Sequence, residues 1–295
     1  MKKSLSIVLC VLVFLVGLTV MFYPTVSNWL HEQTASYAIA DYWNQASTKT
    51  ADEYEDDFEA ARAYNRTLSG DTSSLLEAFM GEDTDYQNDV YWTSLDAVNG
   101  IMGILSIPSI DVALPIYHGT DESALQKGIG HLEGSALPTG DVGNHTVLTG
   151  HTGLPSAELL TDLIDLQVGD TFQLQILDRN FNYEVINIYT VLPSETENLK
   201  AQADKDLVTL VTCTPYGVNS HRLLVQGIRT ADTEVEETTD LVAQHVDETS
   251  TALASLPVLI PVAIGMGVLL LVAILVAILR SRYRPKHTKK SDKTD

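Results

Sequence analysis

Hydrophobic residues fall along this chain in three textures. A long run without a charge stands near each end, Leu5 to Tyr23 and Leu256 to Leu279. Next to the first run, His31 to about Thr93 is acidic and reads as mainly helical. Tyr54, Phe58, Ala61 and Tyr64 recur there at helical spacing, and Leu75, Leu76 and Phe79 mark a further short helix. From Ile101 the texture changes to short runs punctuated by Gly and Pro, which predict strands over 101–107, 112–117, 145–149, 171–177, 181–192, 207–212 and 222–229. One helix is predicted among them, over 156–166, with Leu159, Leu160, Leu163 and Leu166 on one face and Pro155 just before it. Many short strands with one crossing helix point to a mainly β protein, a closed barrel rather than a doubly wound sheet.

The two uncharged runs predict two membrane spans. A signal peptide's apolar core is only ~7–15 residues long. The nearest small-residue pair, Ala38 and Ala40, lies far downstream of the first run, which therefore reads as an uncleaved anchor. The second run suits a spanning helix, at ~1.5 Å rise per residue across a ~30 Å hydrocarbon core. Lys2 and Lys3 precede the first span, and Arg280, Arg282, Arg284 and Lys286 follow the second. Basic clusters stay on the cytoplasmic side, so both termini are expected inside and the intervening chain outside. The chain then divides into an anchor over 1–30, a helical extension over 31–100, the barrel over 101–229, an acidic linker over 230–253, a second span over 254–280 and a basic tail over 281–295.

Charge changes the picture of the middle. The formal net charge is −21, yet nine of the 18 basic residues lie at the two ends. The region between carries 37 acidic side chains against nine basic ones. Such a surface repels phosphates, which excludes a nucleic-acid partner. Of the two cysteines, Cys10 lies inside the first apolar run and Cys213 in the central region, so no structural disulfide is expected.

The candidate chemistry gathers around Cys213. Leu207 to Cys213 is a β-run, Thr214 to His221 a turn-rich loop, and Arg222 opens the next strand. A hairpin of this layout puts Cys213 and Arg222 side by side at one end of a barrel. A guanidinium favours an ionised thiol, and its fixed fork of donors suits an oxyanion in acyl transfer. A histidine would serve as the third partner, protonating an amine leaving group near neutral pH. On chemistry alone His118, His131, His145, His151 and His221 are all candidates. Zinc held by Cys213 with several histidines is the competing constellation, and the spacing matches none of the common zinc patterns.

Thr209-Leu-Val-Thr-Cys213 resembles the TLxTC signature of sortases, and Thr212 to Leu223 (TCTPYGVNSHRL) resembles the corresponding string of class C, the pilin-polymerising sortases. Thr149-Gly-His151-Thr-Gly-Leu-Pro155 is similar to the segment holding that family's catalytic histidine. Tyr117-His-Gly-Thr120 and Gly130-His-Leu-Glu-Gly134 are similar to strings of the same class. The resemblance spans roughly residues 101–229. It implies an eight-stranded sortase-type β-barrel with Cys213 as nucleophile, His151 as general acid and base and Arg222 as stabiliser of the substrate carbonyl. It also implies an LPxTG-type sorting signal cut between Thr and Gly. The acyl group would pass to a lysine amine of an acceptor pilin, with no cofactor or metal. His118, His131, His145 and His221 are then loop or packing residues.

Class C sortases commonly carry a lid with an Asp-Pro-aromatic motif over the cysteine. Here Asp89-Val-Tyr91-Trp92 stands in the right region, with Val90 in place of proline. Tyr91 or Trp92 could cover the thiol while Asp89 pairs with Arg222, or the aromatics could simply pack on the barrel rim. Two other functions fit the same chain: a sortase that attaches surface proteins to peptidoglycan, and a catalytically silent scaffold for pilus assembly.

Overall fold

The computed structural model describes residues 2–68, 88–154 and 156–230, with the backbone alone for residues 2–12. Leu75, Leu76, Phe79, the linker after Thr230, the second apolar run and the basic tail lie outside the described residues. The described residues from Tyr23 onward belong to one compact unit, and the first 22 residues belong to another.

Helix α1 runs from Lys2 to Ala46, with Pro24 inside it. By length and composition, its Val13–Ala46 portion is apolar enough to cross a membrane. Val13, Phe14, Val16, Val20 and Met21 are exposed. The later turns behave differently: Ala35, Ile39, Tyr42 and Ala46 recur at helical spacing and are all buried. Tyr42 fixes that face, because its hydroxyl donates to Met102 O at 3.2 Å and accepts from Leu177 N at 2.7 Å.

Helix α2 (Ala51–Thr67) starts at a capping box, in which Thr50 and Glu53 exchange side-chain to backbone bonds. Phe58, Ala61 and Tyr64 form its buried face, as their spacing predicts. Phe58 meets Phe181 edge-on at 6.2 Å between ring centres, while the Arg179 guanidinium lies 3.8 Å over its ring. Asn65 clamps the backbone of Leu137, accepting from its N–H at 2.8 Å and donating to its carbonyl at 3.0 Å. Helix α3 (Asp89–Thr93) and helix α4 (Glu122–Leu125) are single turns.

Eight strands close into a barrel: β1 (Ile101–Ile107), β2 (Val112–His118), β3 (Ile129–His131), β4 (His145–Thr149), β5 (Thr171–Ile176), β6 (Arg179–Val191), β7 (Leu207–Thr214) and β8 (His221–Arg229). Around the barrel the order is β1-β2-β3-β4-β7-β8-β6-β5. The β2–β3 and β4–β7 pairs are parallel and the remaining pairs antiparallel. Closure leaves no unpaired edge. All seven residues of β1 are buried. One face joins the main core through Leu105 and Ile107, while Ile101 and Ile104 pack beside Ile39, Tyr42 and Ala46 of α1.

The helix expected over 156–166 is not formed. A 3₁₀ turn over Thr161–Asp165 stands there, and Leu159 adopts φ 46°. A left-handed residue cannot continue a right-handed helix. Leu159, Leu160, Leu163 and Leu166 still enter the core, but from turns.

Two fully buried histidines make the barrel sensitive to acid. In His145, Nδ1 donates to Lys200 O at 3.1 Å and Nε2 accepts from the Thr209 hydroxyl at 2.7 Å, which satisfies a neutral ring. Burial pulls His145 down to about 4 and His131 down to about 3. The unfolded chain titrates near 6.5 and so binds more protons below that pH. Stability therefore falls as pH drops from ~6.5, by about 2 kcal/mol per histidine at pH 5. Asp206 acts the other way: burial pushes its carboxyl up to about 6, so the cost of ionising it is full above that pH and is relieved as pH falls from about 6 toward the ordinary carboxylate range. Melting temperature followed from pH 7 to pH 5 is expected to fall less steeply in His145→Gln than in the wild type. Parallel curves would remove His145 from this account.

Candidate active site

Strand register brings the candidate residues to one end of three neighbouring strands. Across the parallel β4–β7 pair, Thr149 faces Val211. Two further bonds extend the pairing beyond the end of β4. Gly150 N–H donates to Val211 O at 3.0 Å, and the Thr212 hydroxyl donates to Gly150 O at 2.8 Å. Continued by two places, the register sets His151 level with Cys213. On the other side of β7, Cys213 pairs directly with Arg222 and Thr214 with His221. Directly opposed residues of an antiparallel pair share a face, so Cys213 and Arg222 project together and His221 points to the other side.

Local sequence explains why the chain turns here. Gly150 is closely packed, since a Cβ would stand 2.9 Å from both Ile129 Cδ1 and Leu160 Cδ1 and those side-chain tips would have to shift. The β7–β8 turn contains the cis Thr214–Pro215 bond and positive φ at Gly217 (73°) and Asn219 (58°). Asn tolerates that conformation better than most residues. Tyr216 projects from this turn against Gly153, whose missing side chain lets the ring approach. A cleft of about 570 Å³ opens beside the His151 loop, lined by Pro24, Trp29, Leu154, Ala157, Glu158 and Tyr216 among others.

Cys213 is a free thiol, half-buried between the buried Thr212 and Thr214. The Arg222 Nη1 lies 3.4 Å from both Asn219 O and His221 O, long contacts that leave most of its donors for a substrate. His151 is partly exposed, and its Nε2 lies 3.5 Å from Glu122 Oε2. Glu122 lies outside the sequence-derived set, because a glutamate at the start of one helical turn carries no signal of its own. Among the described residues, no three His, Cys, Asp or Glu side chains gather as a metal site requires.

The other singled-out residues lie elsewhere. His118, His131 and His145 are buried, with both ring nitrogens of each in hydrogen-bonding contact. His221 contacts Ser220 through Nδ1. Tyr91 is fully buried on α3. Its hydroxyl accepts from Gly119 N–H at 2.8 Å and stands 3.1 Å from both Nδ1 and the carbonyl oxygen of His131. Trp92 lies edge-on to Tyr91 and against Gly119, still 37% exposed. Among the described residues Asp89 makes no ion pair with Arg222.

Residues 105–230 match the family described as Sortase domain. Over 61% of this chain and 99% of the other, the protein is 42% identical to sortase C-1 from Actinomyces oris, with a TM-score of 0.57. A Streptococcus pneumoniae sortase C, whose structure is described as informing catalysis and pilin substrate specificity, is 38% identical over 67% of this chain and 98% of its own, at a TM-score of 0.61. Sortase D of Bacillus subtilis is 33% identical over 130 residues. The match covers 43% of this chain and 63% of that protein, under two thirds of its length. With a closed eight-stranded barrel, a cysteine–arginine pair on β7 and β8 and near-complete coverage of solved sortases, the chain belongs to the sortase family.

Proposed function

We propose that the chain is a class C sortase, a cysteine transpeptidase that joins an LPxTG-type sorting signal to a lysine amine of an acceptor pilin. What supports this reading is the direct pairing of Cys213 with Arg222, together with a β4–β7 register that, extended two places past Thr149, sets position 151 level with 213. The Cys213 thiolate attacks the threonine carbonyl, and Arg222 donors face the oxyanion that forms. Collapse breaks the Thr–Gly bond. The departing glycine amine takes a proton from His151, leaving a thioester on Cys213. A neutral lysine amine then attacks the thioester, gives a proton to His151 and expels the thiolate. The product is an isopeptide bond, and the enzyme returns to its starting protonation state. One amide replaces another, so no nucleotide or metal is consumed.

The pilin acceptor is supported by class C sortases among the similar structures, one of them described in terms of pilin substrates. Placement outside the cell, between two spans with both termini cytoplasmic, is supported by the apolar runs and the basic residues beside them. We read Asp89, Tyr91 and Trp92 as a rim-packing segment rather than a cover over the thiol.

Incubating the purified protein with a sorting-signal peptide, and then with lysine-bearing or peptidoglycan-derived amines, tests the reading. A thioester on Cys213 that only the pilin lysine resolves is expected. Preference for the peptidoglycan amine would make the enzyme a cell-wall anchor. A folded wild-type protein forming no thioester would make it a scaffold. Cys213→Ala should remove the thioester and leave the barrel's melting temperature near the wild-type value.

Arg222→Lys keeps the charge and loses the planar fork, so transpeptidation should drop by ~10²–10³. His151→Ala is expected to fall by ~10²–10⁴, and His221→Ala far less. Equal losses at His151 and His221, with folding intact, would reverse the histidine assignment.

Thiol labelling of Cys213 should proceed at the same rate in Trp92→Ala as in the wild type. A several-fold gain would restore the lid reading.

A further inference from the structure

The surroundings of His151 hold a carboxylate that the reaction above does not use. His151 Nε2 is shielded from solvent and has no hydrogen-bond partner among the described residues. Its ion-pair partner is Glu122, at 3.5 Å. Ordinarily an exposed glutamate on a surface turn is only solvated. Here the second carboxylate oxygen is tied: Gln126 Nε2 donates to Glu122 Oε1 at 2.8 Å. The turn itself is pinned at both ends. The Asp121 side chain accepts from Ala124 N–H at 2.9 Å, and Gln126 O lies 3.0 Å from His31 Nε2 on α1. A line of contacts thus runs from α1 through Gln126 and Glu122 to the candidate acid–base group.

We propose that Glu122 is a positioning residue for His151, holding the ring by its Nε2 side and stabilising the imidazolium that forms in each proton transfer. The inference rests on the reading of His151 as the acid and base of the transpeptidation. With Nε2 directed at Glu122, Nδ1 is the nitrogen that exchanges protons with the leaving and incoming amines. A carboxylate beside one ring nitrogen selects the tautomer at the other, and a shielded N–H gains from any partner it has. Other titratable groups on nearby elements include Cys213 on β7, Tyr216 in the β7–β8 turn, His221 and Arg222 on β8, Glu158 in its own loop, Asp162 and Asp165 on the following 3₁₀ turn, and Asp121 and Lys127 beside Glu122. Among the described residues, none of these forms an ion pair with it.

The test uses the full chain in detergent micelles, with Glu122→Gln, Glu122→Asp and Gln126→Ala beside the wild type. Transpeptidation of a sorting-signal peptide onto a lysine acceptor is measured together with ¹⁵N NMR of the His151 ring, assigned through its loss in His151→Gln. Glu122→Gln is expected to lower kcat roughly fivefold, with KM for the sorting peptide unchanged. It should also move ring protonation from Nε2 toward Nδ1. Glu122→Asp should recover part of both effects, and Gln126→Ala should show a weaker form of the Glu122→Gln phenotype. Wild-type kcat and an unchanged ring spectrum in Glu122→Gln would overturn the proposal, as would a kcat loss that merely follows a lowered melting temperature. If the wild type forms no thioester, the transpeptidase reading fails, and the ring spectrum alone decides the pairing: unchanged in Glu122→Gln, it overturns that as well.

Discussion

The parallel pairing of β4 with β7 is the constraint on which the rest of the structure depends. These strands lie far apart in sequence, and nothing local holds residue 149 beside residue 211. Barrel closure does so, because each strand's backbone groups must be paired on both sides. Once β4 lies on β7, the two bonds made by Gly150 with Val211 and Thr212 carry the alignment past the end of β4, where the chain leaves the sheet. The antiparallel β7–β8 hairpin adds Arg222 to the same end with no further long-range contact. A one-residue slip in either pair would turn a side chain to the opposite face. The register that closes the barrel therefore also sets the geometry of the site.

That dependence explains which parts of the structure were legible in the sequence. Strands β1 and β4 lie where the local texture puts them, and β2 and β5 to β8 differ by one or two residues at their ends. Strand β3 escaped because Ile129–His131 is too short to show a period. The leucines of 156–166 carry a helical spacing, and the spacing was misleading. Leucine side chains reach a core equally well from successive turns, and the positive φ at Leu159 is set by tertiary packing rather than by its own preference. The adjacency of Cys213 and Arg222 could be read because a hairpin is local. Glu122 could not, since its approach to His151 needs the β2–β3 connection and the β4 end to meet in space.

The Asp89–Trp92 segment shows a second limit. Two adjacent aromatics beside an aspartate fit a cover over a cleft and a rim-packing turn equally well as sequence. In the fold Tyr91 is enclosed, and its hydroxyl joins Gly119 to His131. Withdrawing that side chain would strand buried polar groups, at ~1–3 kcal/mol for each one left unpaired.

Environment also sorts the histidines into two kinds. His131 and His145 are enclosed, each with one nitrogen placed to donate to a carbonyl and the other to accept from a hydroxyl, so they are held neutral well below physiological pH. A group fixed in one protonation state cannot give and take a proton in each cycle. His118 is buried with its two nitrogens against the carbonyls of Gly100 and Ser94, and neither nitrogen is open to a substrate. His151 is placed differently. Its ring is partly exposed, beside the free thiol's strand and within reach of a carboxylate. Enclosure thus sets the histidines inside the barrel apart from the one that stands where the chain leaves β4.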